Sequence, residues 1–436
     1  MSHPPAKHST AARLEHSTAD LATALSILER GDLVLASAHV LYTNGQSTHE
    51  TVEAAEWLGT HLGLRATLIP HWEELELRAE DGAGSQVSFE RGSPLAVNMH
   101  RVAAAMSAIE NCGVSRPPIA AALENIKAIA NAPPAPTWLF TIAAATGAAA
   151  MAAIFGAHNL KAVVLIMVSA ATGALLRRTI ARFSGNTLLQ PLCAALIAGM
   201  FGALAVRYNI SSSLRLVAIC PCMILIPGPH VLNGAMDLIE ARINLGASRM
   251  LHAGLIILAI SVGLLLGMGG LSVSLPIGEG TAVPLWLDVI AAGVAVASFS
   301  VFFSTPMRML GWPVAVGMLA HAVRWGALKA GAGVATGALV ACLLAGGILA
   351  PVARRRQMPF AAIGFASVVS MMPGFFLFRT ASGLVQLASY SNTNFDLLGA
   401  TIADAITAIA VVLAMSFGVV TPKLIMDRFG SGSTST

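Results

Sequence analysis

Ten apolar segments follow one another between residues 137 and 420 of this 436-residue chain. A helix needs about 20 mostly apolar residues to cross a bilayer, and each segment is close to that length. They cover roughly 137–156, 160–176, 188–206, 216–235, 250–270, 285–304, 308–324, 331–351, 360–378 and 397–420. The sequence therefore predicts a mainly α, polytopic membrane protein with about ten transmembrane helices.

The supply of charge agrees with this interpretation. Only 11% of the residues are charged, against about 25% in an average soluble domain, which excludes one soluble globule of this size. The charges are also unevenly placed. Residues 1–136 hold nine basic and fifteen acidic residues, whereas residues 137–436 hold seventeen basic and seven acidic ones. An acidic first third thus precedes a basic, very apolar body.

These shifts define the expected domain organisation. We expect a flexible segment over 1–30, a cytoplasmic α+β domain over 31–131 and a Pro-rich linker over 132–136. A first five-helix membrane module would cover 137–271, a second 285–420, and a cytoplasmic tail 421–436. Within the soluble domain, apolar spacing predicts four helices and three short strands. The helices are expected over Leu33–Tyr42, Glu50–Leu62, Met99–Asn111 and Ile119–Ala130, and the strands over Ala66–Pro70, Leu75–Arg78 and Gln86–Phe89.

Basic residues predict the orientation. Residues 1–20 lack the apolar core of a secretory signal, so the first third is expected to stay in the cytoplasm. With that start, the cytoplasmic connections and tail hold eleven Lys and Arg residues and the external connections hold six. Cytoplasmic loops carry such an excess. We therefore expect both termini in the cytoplasm.

An internal repeat relates the two membrane modules. The second set of spans follows the first by about 143–148 residues, and Pro227–Leu238 aligns with Pro373–Leu384 at four identical positions of twelve. Each copy lies in or just after the fourth span of its half. Because five spans per copy is an odd number, the second copy enters the membrane from the opposite face. This predicts the 5+5 inverted repeat of many secondary transporters.

Two Pro-Gly pairs interrupt apolar runs at matching places in the two halves. Pro227-Gly228 and Pro373-Gly374 would each break a helix, because proline removes a backbone hydrogen bond and glycine adds backbone freedom. Freed backbone groups are tolerated in a membrane only where protein or a water-filled cavity satisfies them. Matched discontinuous helices are the best sequence pointer to a transporter's binding site. Ordinary proline kinks are the alternative interpretation.

Polar residues follow both breaks. Asn233 and Arg379 occupy repeat-equivalent positions, and Asp237 lies one helical turn beyond Asn233. The helix start after each break carries partial positive charge, which suits a carboxylate. An amide, a guanidinium and a carboxylate could together hold a zwitterion, with Arg379 on the substrate carboxylate and Asp237 on its ammonium group.

Four ionisable residues are candidates for proton coupling. Asp404 lies about eight residues into the last span, His321 late in the seventh and Asp288 near the start of the sixth, and Asp237 joins them. Ionisable groups at such depth are costly and usually face a pathway or a partner. Asp404 is the deepest and is the preferred proton carrier. A structural ion pair at Asp404, and packed or interfacial positions for Asp288 and His321, are the alternatives.

The sequence favours no enzyme chemistry. His49 and Glu50 resemble the start of a zinc motif, but Glu53 stands where the second histidine is required. No Gly-Lys pair of a phosphate-binding loop and no G-x-S-x-G motif occurs, and the acidic first third disfavours nucleic acid. We therefore expect no catalytic residues, no metal and no cofactor, and a lipid bilayer as the chain's surroundings.

Three stretches carry a family resemblance. The run from Pro227-Gly228 to Asp237-Leu238 continues through Asn244, Gly246 and Arg249, and resembles the threonine/serine exporter family. The stretch 44–53, continuing through 62–64, is similar to that family's cytoplasmic domain, and 285–420 is similar to its second membrane module. The resemblance covers roughly residues 30–420.

The resemblance implies an exporter of threonine and serine, driven by the proton motive force, in a bacterial plasma membrane. Small amino acids and protons would then be its partners, and a homo-oligomer is compatible with the sequence. Some relatives, split over two chains, resemble dicarboxylate exporters, so a succinate-like substrate stays open. A membrane-anchored enzyme or sensor acting through the N-terminal domain is the alternative from another class.

Overall fold

The computed structural model describes residues 27–82, 84–115, 117–157, 159–208, 214–270, 283–356, 358, 360–389 and 395–430. The predicted flexible segment therefore lies outside the described residues up to residue 26, and so do the last six residues of the predicted tail. The described chain divides into two compact units. One comprises residues up to 96 and 101–132, and the other comprises 97–100 and the residues from 133 onward.

The first unit combines four helices with a small sheet. Its elements are α1 (27–43), α2 (Thr48–His61), β1 (Arg65–Pro70), β2 (Glu74–Asp81), β3 (Gly84–Arg91), α3 (Met99–Ser115) and α4 (Ile119–Ala130). The three strands form an antiparallel sheet in the order β1-β2-β3. The four predicted helices and three predicted strands are all present, and the helix α1 already includes residues 27–30.

The core of this unit follows from the sequence periods. Leu75, Leu77 and Ala79 alternate along β2 and are buried, as expected for a strand with one covered face. Leu58 on α2 is buried with them. The helix α2 starts at a Ser47 cap, whose hydroxyl accepts a hydrogen bond from the Glu50 amide and satisfies an otherwise orphan donor.

Twelve helices make up the second unit. They are α5 (Thr137–Ile154), α6 (Leu160–Phe183), α7 (Leu189–Arg207), α8 (Leu214–Met223), α9 (Gly228–Ile239), α10 (Ile243–Gly269), α11 (Leu285–Phe302), α12 (Gly311–Lys329), α13 (Val334–Arg356), α14 (Phe360–Val368), α15 (Gly374–Ser389) and α16 (Phe395–Gly430). A 3₁₀ turn, Val369–Met371, extends α14 toward α15.

Seven helices of the described chain are long and apolar enough to cross a membrane: α5, α6, α7, α10, α11, α13 and α16. Two bent pairs, α8 with α9 and α14 with α15, bring the number to nine if each pair is one span. The one remaining predicted span, 308–324, is the seventh and coincides with α12. That helix is not among the nine, because His321 and Arg324 lower its mean hydropathy.

Several helices extend further than the predicted spans. The helix α6 continues to Phe183 and includes Arg177, one of the eleven basic residues counted in the cytoplasmic connections and tail. The helix α10 begins at Ile243 and includes Arg249, another of them. Both residues lie beyond the predicted spans 160–176 and 250–270 but within helices, because an apolar segment marks only the hydrophobic part of a helix and the helix can continue through charged residues.

The two halves of this unit pack by the same pattern. The contacts of α5–α10 with one another recur among α11–α16 in the same order: α5 with α6, α6 with α7, α7 with α8, α7 with α10 and α9 with α10 all have counterparts six helices later. Contacts between the two halves are also symmetric. The helix α9 packs on α14, and its counterpart α15 packs on α8; α5 packs on its own counterpart, α11.

Glycines lie at the equivalent helix contacts of the two halves, α7 with α10 and α13 with α16. A Cβ on Gly199 of α7 would overlap the Leu264 carbonyl of α10, and one on Gly346 of α13 would overlap the Val419 carbonyl of α16. Gly263 and Gly418 make the reverse contacts of the two pairs. Small residues let membrane helices approach closely, and here the same device joins the same helices in each half.

Candidate functional site

The two broken helices meet at their breaks. The pair α8 and α9 bends by 56°, and the pair α14 and α15 bends by 51°. Gly228 opens α9 directly after Pro227, and Gly374 opens α15 directly after Pro373. The matched breaks predicted from the two Pro-Gly pairs are therefore present.

Each opening glycine packs against the other broken helix. A Cβ on Gly228 would overlap the Phe365 ring of α14, and one on Gly374 would overlap the Ile226 side chain in the first break. Phe365 and Ile226 are buried. The two breaks are thus reciprocal neighbours, and a side chain at the start of either helix would require the facing side chain of the other break to move.

A buried ion pair follows the first break. Asp237 on α9 and Arg249 on α10 are 1% and 0% exposed, and Arg249 Nε lies 3.0 Å from Asp237 Oδ2. Arg242 Nη1 lies 3.8 Å from the other carboxylate oxygen. Gly234 and Gly246 allow the two helices to approach at this point, since a Cβ on either would meet the opposite helix. The carboxylate predicted to bind an ammonium group is therefore held by arginines here.

A second ion pair follows the second break. Arg379 Nε on α15 lies 2.9 Å from Asp404 Oδ2 on α16, and the guanidinium also lies 5.3 Å from the centre of the Phe375 ring. Arg379, predicted to bind the substrate carboxylate, and Asp404, predicted to carry the proton, are thus paired with each other. Asp404 is in an ion pair, which was the alternative interpretation of this residue.

The two ion pairs have opposite order. In the first half the acid is on the broken helix and the base on the long helix that follows, whereas in the second half the base is on the broken helix and the acid follows. Asn233, the repeat-equivalent of Arg379, is buried on α9 one turn before Asp237. Nearby, the rings of His230 and His252 pack edge to face, with 5.5 Å between their centres.

The remaining predicted residues form a buried chain of polar groups. His321 Nδ1 on α12 lies 3.1 Å from Asp288 Oδ2 on α11, and His321 Nε2 lies 2.7 Å from Ser370 Oγ. An imidazole protonated on Nδ1 donates to the carboxylate and accepts from the hydroxyl. Ser370 lies in the 3₁₀ turn just before the second break. The chain therefore connects α11 and α12 with that break.

Sequence reasoning missed two members of these groups as functional residues. Arg249 entered only as part of the family motif, and its distance of twelve residues from Asp237 gave no sign of contact across two helices. Ser370 lies three residues before Pro373, and its proximity to a predicted break was the one available signal. The His49 side chain lies 3.9 Å from Glu53 on α2, and no cluster of three metal-ligating residues occurs among the residues described.

Two family models match the chain. A model of threonine/serine exporters matches residues 32–270, and a second model, described as threonine/serine exporter, ThrE, matches residues 288–425. The chain belongs to the threonine/serine exporter family. No curated protein and no solved structure matches it.

Membership of the threonine/serine exporter family identifies the chain as a membrane transporter, in agreement with its series of long apolar helices. The first family model covers the N-terminal unit and α5–α10, and the second covers α11–α16. The boundary between the models therefore coincides with the boundary between the two halves that share one packing pattern. Each break and its ion pair lies within one model.

Proposed function

We propose that this threonine/serine exporter family member is a secondary active exporter of small amino acids, threonine and serine, coupled to the proton motive force. The observation that carries the proposal is the meeting of two broken helices with a buried ion pair behind each break. A bacterial plasma membrane, cytoplasmic termini and a ten-helix inverted repeat complete the proposal. They are supported by the bias of basic residues and by the matched helix contacts.

The substrate would bind at the two breaks. Its ligands would be the residues at the helix starts and the polar residues beyond them: Pro227, Gly228, Asn233, Asp237, Pro373, Gly374 and Arg379. Helix starts present unpaired N–H groups and partial positive charge, and they suit the carboxylate of an amino acid. Asp237 would take the ammonium group.

Binding would proceed by exchange of ion-pair partners. A zwitterion brings one negative and one positive group, so it can replace Asp404 on Arg379 and Arg249 on Asp237 without leaving a net buried charge. An uncompensated charge in a membrane interior is costly. A dicarboxylate brings two negative groups and would leave Asp237 opposed by like charge, which disfavours the succinate-like alternative.

Protons would be carried by Asp404, Asp237, Asp288 and His321. When the substrate binds Arg379, Asp404 would lose its partner and its carboxylate could take up a proton. Proton uptake would therefore depend on substrate binding. The chain of Asp288, His321 and Ser370 would extend the proton route to the second break, because histidine and hydroxyl groups pass protons through hydrogen bonds.

Counterflow in proteoliposomes tests the substrate. We expect purified full-length protein to exchange radiolabelled threonine and serine, and to leave succinate outside. Exchange of succinate without threonine would replace the proposal by the dicarboxylate alternative. No exchange of any of these, together with activity of the N-terminal unit on a soluble ligand, would favour the enzyme or sensor alternative.

Coupling is tested by the double variant Asp237→Asn/Asp404→Asn. We expect it to lose threonine efflux driven by a pH gradient. The matched control is Asp396→Asn, which makes the same change at an exposed position in the first turn of α16 and should keep the wild-type rate. Gradient-driven efflux that survives the double substitution would remove these residues from the coupling mechanism.

A further inference from the structure

A small cavity lies beside α8, the helix that precedes the first break, and its lining includes none of the residues assigned to the candidate site above. It is lined by Ser169, Gly173 and Arg177 of α6, Pro221 of α8, Ile224 and Phe302, and we call it the Arg177 cavity. Its remaining walls are mainly alanines. In this conformation it has room for about one water molecule.

Polar groups in the Arg177 cavity lack partners. Among the residues that the structure describes, the buried Nε and Nη1 of Arg177 and the Oγ of Ser169 accept or donate no hydrogen bond. Ser169 is 1% exposed. The guanidinium packs against the rings of Phe302 and Phe140, with 5.1 and 5.9 Å to the ring centres. Aromatic faces attract a cation but supply no hydrogen-bond acceptor.

The neighbouring arginine differs in this respect. Arg178 donates a hydrogen bond of 2.8 Å to the Ala135 carbonyl and packs over the same Phe140 ring, with 4.4 Å to the ring centre. Two adjacent arginines of one helix thus have different surroundings. Arg178 is anchored by a backbone carbonyl, whereas Arg177 has two buried donor nitrogens, Nε and Nη1, without a hydrogen-bond partner beside the cavity.

The second half of the protein carries an acid at the position that matches Phe140. Arg324 of α12 is the repeat-equivalent of Arg177, and Asp288 of α11 is the equivalent of Phe140, at offsets of 147 and 148 residues. Asp288 Oδ2 lies 3.1 Å from His321 Nδ1, so this carboxylate is paired with the imidazole, while the buried Nε of Arg324 has no hydrogen-bond partner among the described residues. The first half has a phenyl ring at that position and no acid on the cavity wall.

We propose that the Arg177 cavity is a carboxylate-binding site, which receives the carboxylate of the exported amino acid on its way to the two breaks. A buried guanidinium is stable only when an anion or several acceptors compensate it, and guanidinium is well shaped for a carboxylate. That the anion belongs to a substrate rests on the proposed function.

The location supports a place on the export route. The cavity is lined by Pro221, Ile224 and Leu225, which lie a few residues before the first break. Arg177 lies toward the basic end of α6, which the charge bias assigns to the cytoplasmic side. A substrate entering from the cytoplasm would therefore reach Arg177 before it reaches the two breaks.

The test compares Arg177→Gln with its matched control Arg178→Gln in the full-length protein. Removing a hydrogen bond to a charged group lowers affinity by about tenfold to hundredfold. We expect Arg177→Gln to raise the apparent KM for threonine efflux by that factor, and Ser169→Ala to raise it by a smaller one. Arg178→Gln should stay within about twofold of the wild type. Equal effects of the two arginine substitutions would overturn the proposal.

A binding measurement separates this site from the proposed function. Thermal stabilisation of the detergent-solubilised protein is measured with threonine, acetate, succinate, chloride and threoninol, the alcohol that lacks the carboxylate. We expect acetate to stabilise the wild type and Arg178→Gln but not Arg177→Gln. Threonine should stabilise Arg177→Gln less than the other two proteins, because the two breaks still bind it, and threoninol should stabilise all three less than threonine does.

Each other result has a defined meaning. Stabilisation by acetate without any threonine efflux would uphold the carboxylate site and reject the proposed substrate. Stabilisation by chloride alone, by threoninol as strongly as by threonine, or by acetate equally in Arg177→Gln, would overturn the carboxylate site. A further variant, Phe140→Asp, installs the acid of the second half; we expect it to abolish acetate stabilisation, and retained stabilisation would contradict the proposal.

Discussion

The ion pair of Asp237 and Arg249 provides a quantitative test of the membrane unit. The two groups are 3.0 Å apart and almost fully buried. At an effective dielectric constant of about 20, unit charges at that distance attract by about 5–6 kcal/mol. Desolvation offsets much of this attraction. Removing one partner of such a pair nevertheless costs about 3–5 kcal/mol, because the other charge is left buried.

The geometry further predicts an asymmetry between the two single variants. Arg249→Met leaves Asp237 with a second cation, Arg242, whose Nη1 is 3.8 Å from the carboxylate. Asp237→Asn leaves Arg249 without the carboxylate that it contacts. We therefore expect Asp237→Asn to cost about 3–5 kcal/mol of unfolding free energy and Arg249→Met to cost less.

The double variant Asp237→Asn/Arg249→Met removes both charges. Replacing a buried ion pair by uncharged groups is often close to neutral, so the double variant should be more stable than Asp237→Asn. The assay is reversible unfolding of the full-length protein by SDS in mixed micelles, followed by tryptophan fluorescence, with Asp396→Asn as the exposed control. Free energies that add, with a coupling below about 0.5 kcal/mol, would refute the ion pair as a stabilising contact.

Two other parts of the candidate site give testable expectations. Gly228→Ala should lower threonine efflux strongly, since its Cβ would overlap the Phe365 ring, whereas Gly374→Ala meets only the tip of Ile226 and should lower it less; Gly254→Ala, with no atom near its Cβ, is the control. Wild-type efflux in Gly228→Ala would show that the two breaks need no close contact. His321→Gln should abolish pH-gradient-driven efflux and keep threonine exchange, and Ser370→Ala should show a weaker form of the same effect. Equal loss of exchange and driven efflux would assign these residues to folding or substrate binding.

Local patterns in the sequence predicted much of the fold. Alternation along Leu75 and Leu77 indicated a strand, and the Pro-Gly pairs located both breaks, because proline and glycine act on the backbone where they stand. The extent of the helices was less predictable. Arg177 and Arg249 looked like loop residues from their charge, yet each lies within a helix.

Partner choice could not be predicted from the sequence. Asp237, Arg379 and Asp404 were identified as candidates, but their pairing depends on which helix packs beside each broken segment after the bend. Arg249 is brought to Asp237 by the close contact between Gly234 and Gly246. Contacts of this kind depend on the geometry between helices, for which a single sequence carries no direct signal.

The differences between the two halves bear on how transport could be coupled. Identical halves would respond to the same ligand. Here the position of Phe140 in the first half is taken by Asp288 in the second, and the position of Ala174 is taken by His321. The described lining of the Arg177 cavity therefore pairs a guanidinium with no acid, whereas the matching positions of the second half hold an acid and an imidazole in one hydrogen-bonded chain. In the proposed mechanism the Arg177 cavity meets the substrate carboxylate and the pair of Asp288 and His321 passes the proton, while Asp237 and Arg379 hold the substrate at the breaks. Two such sites with different ligands, one in each half and joined where the breaks meet, would give a physical basis for linking amino-acid export to proton movement.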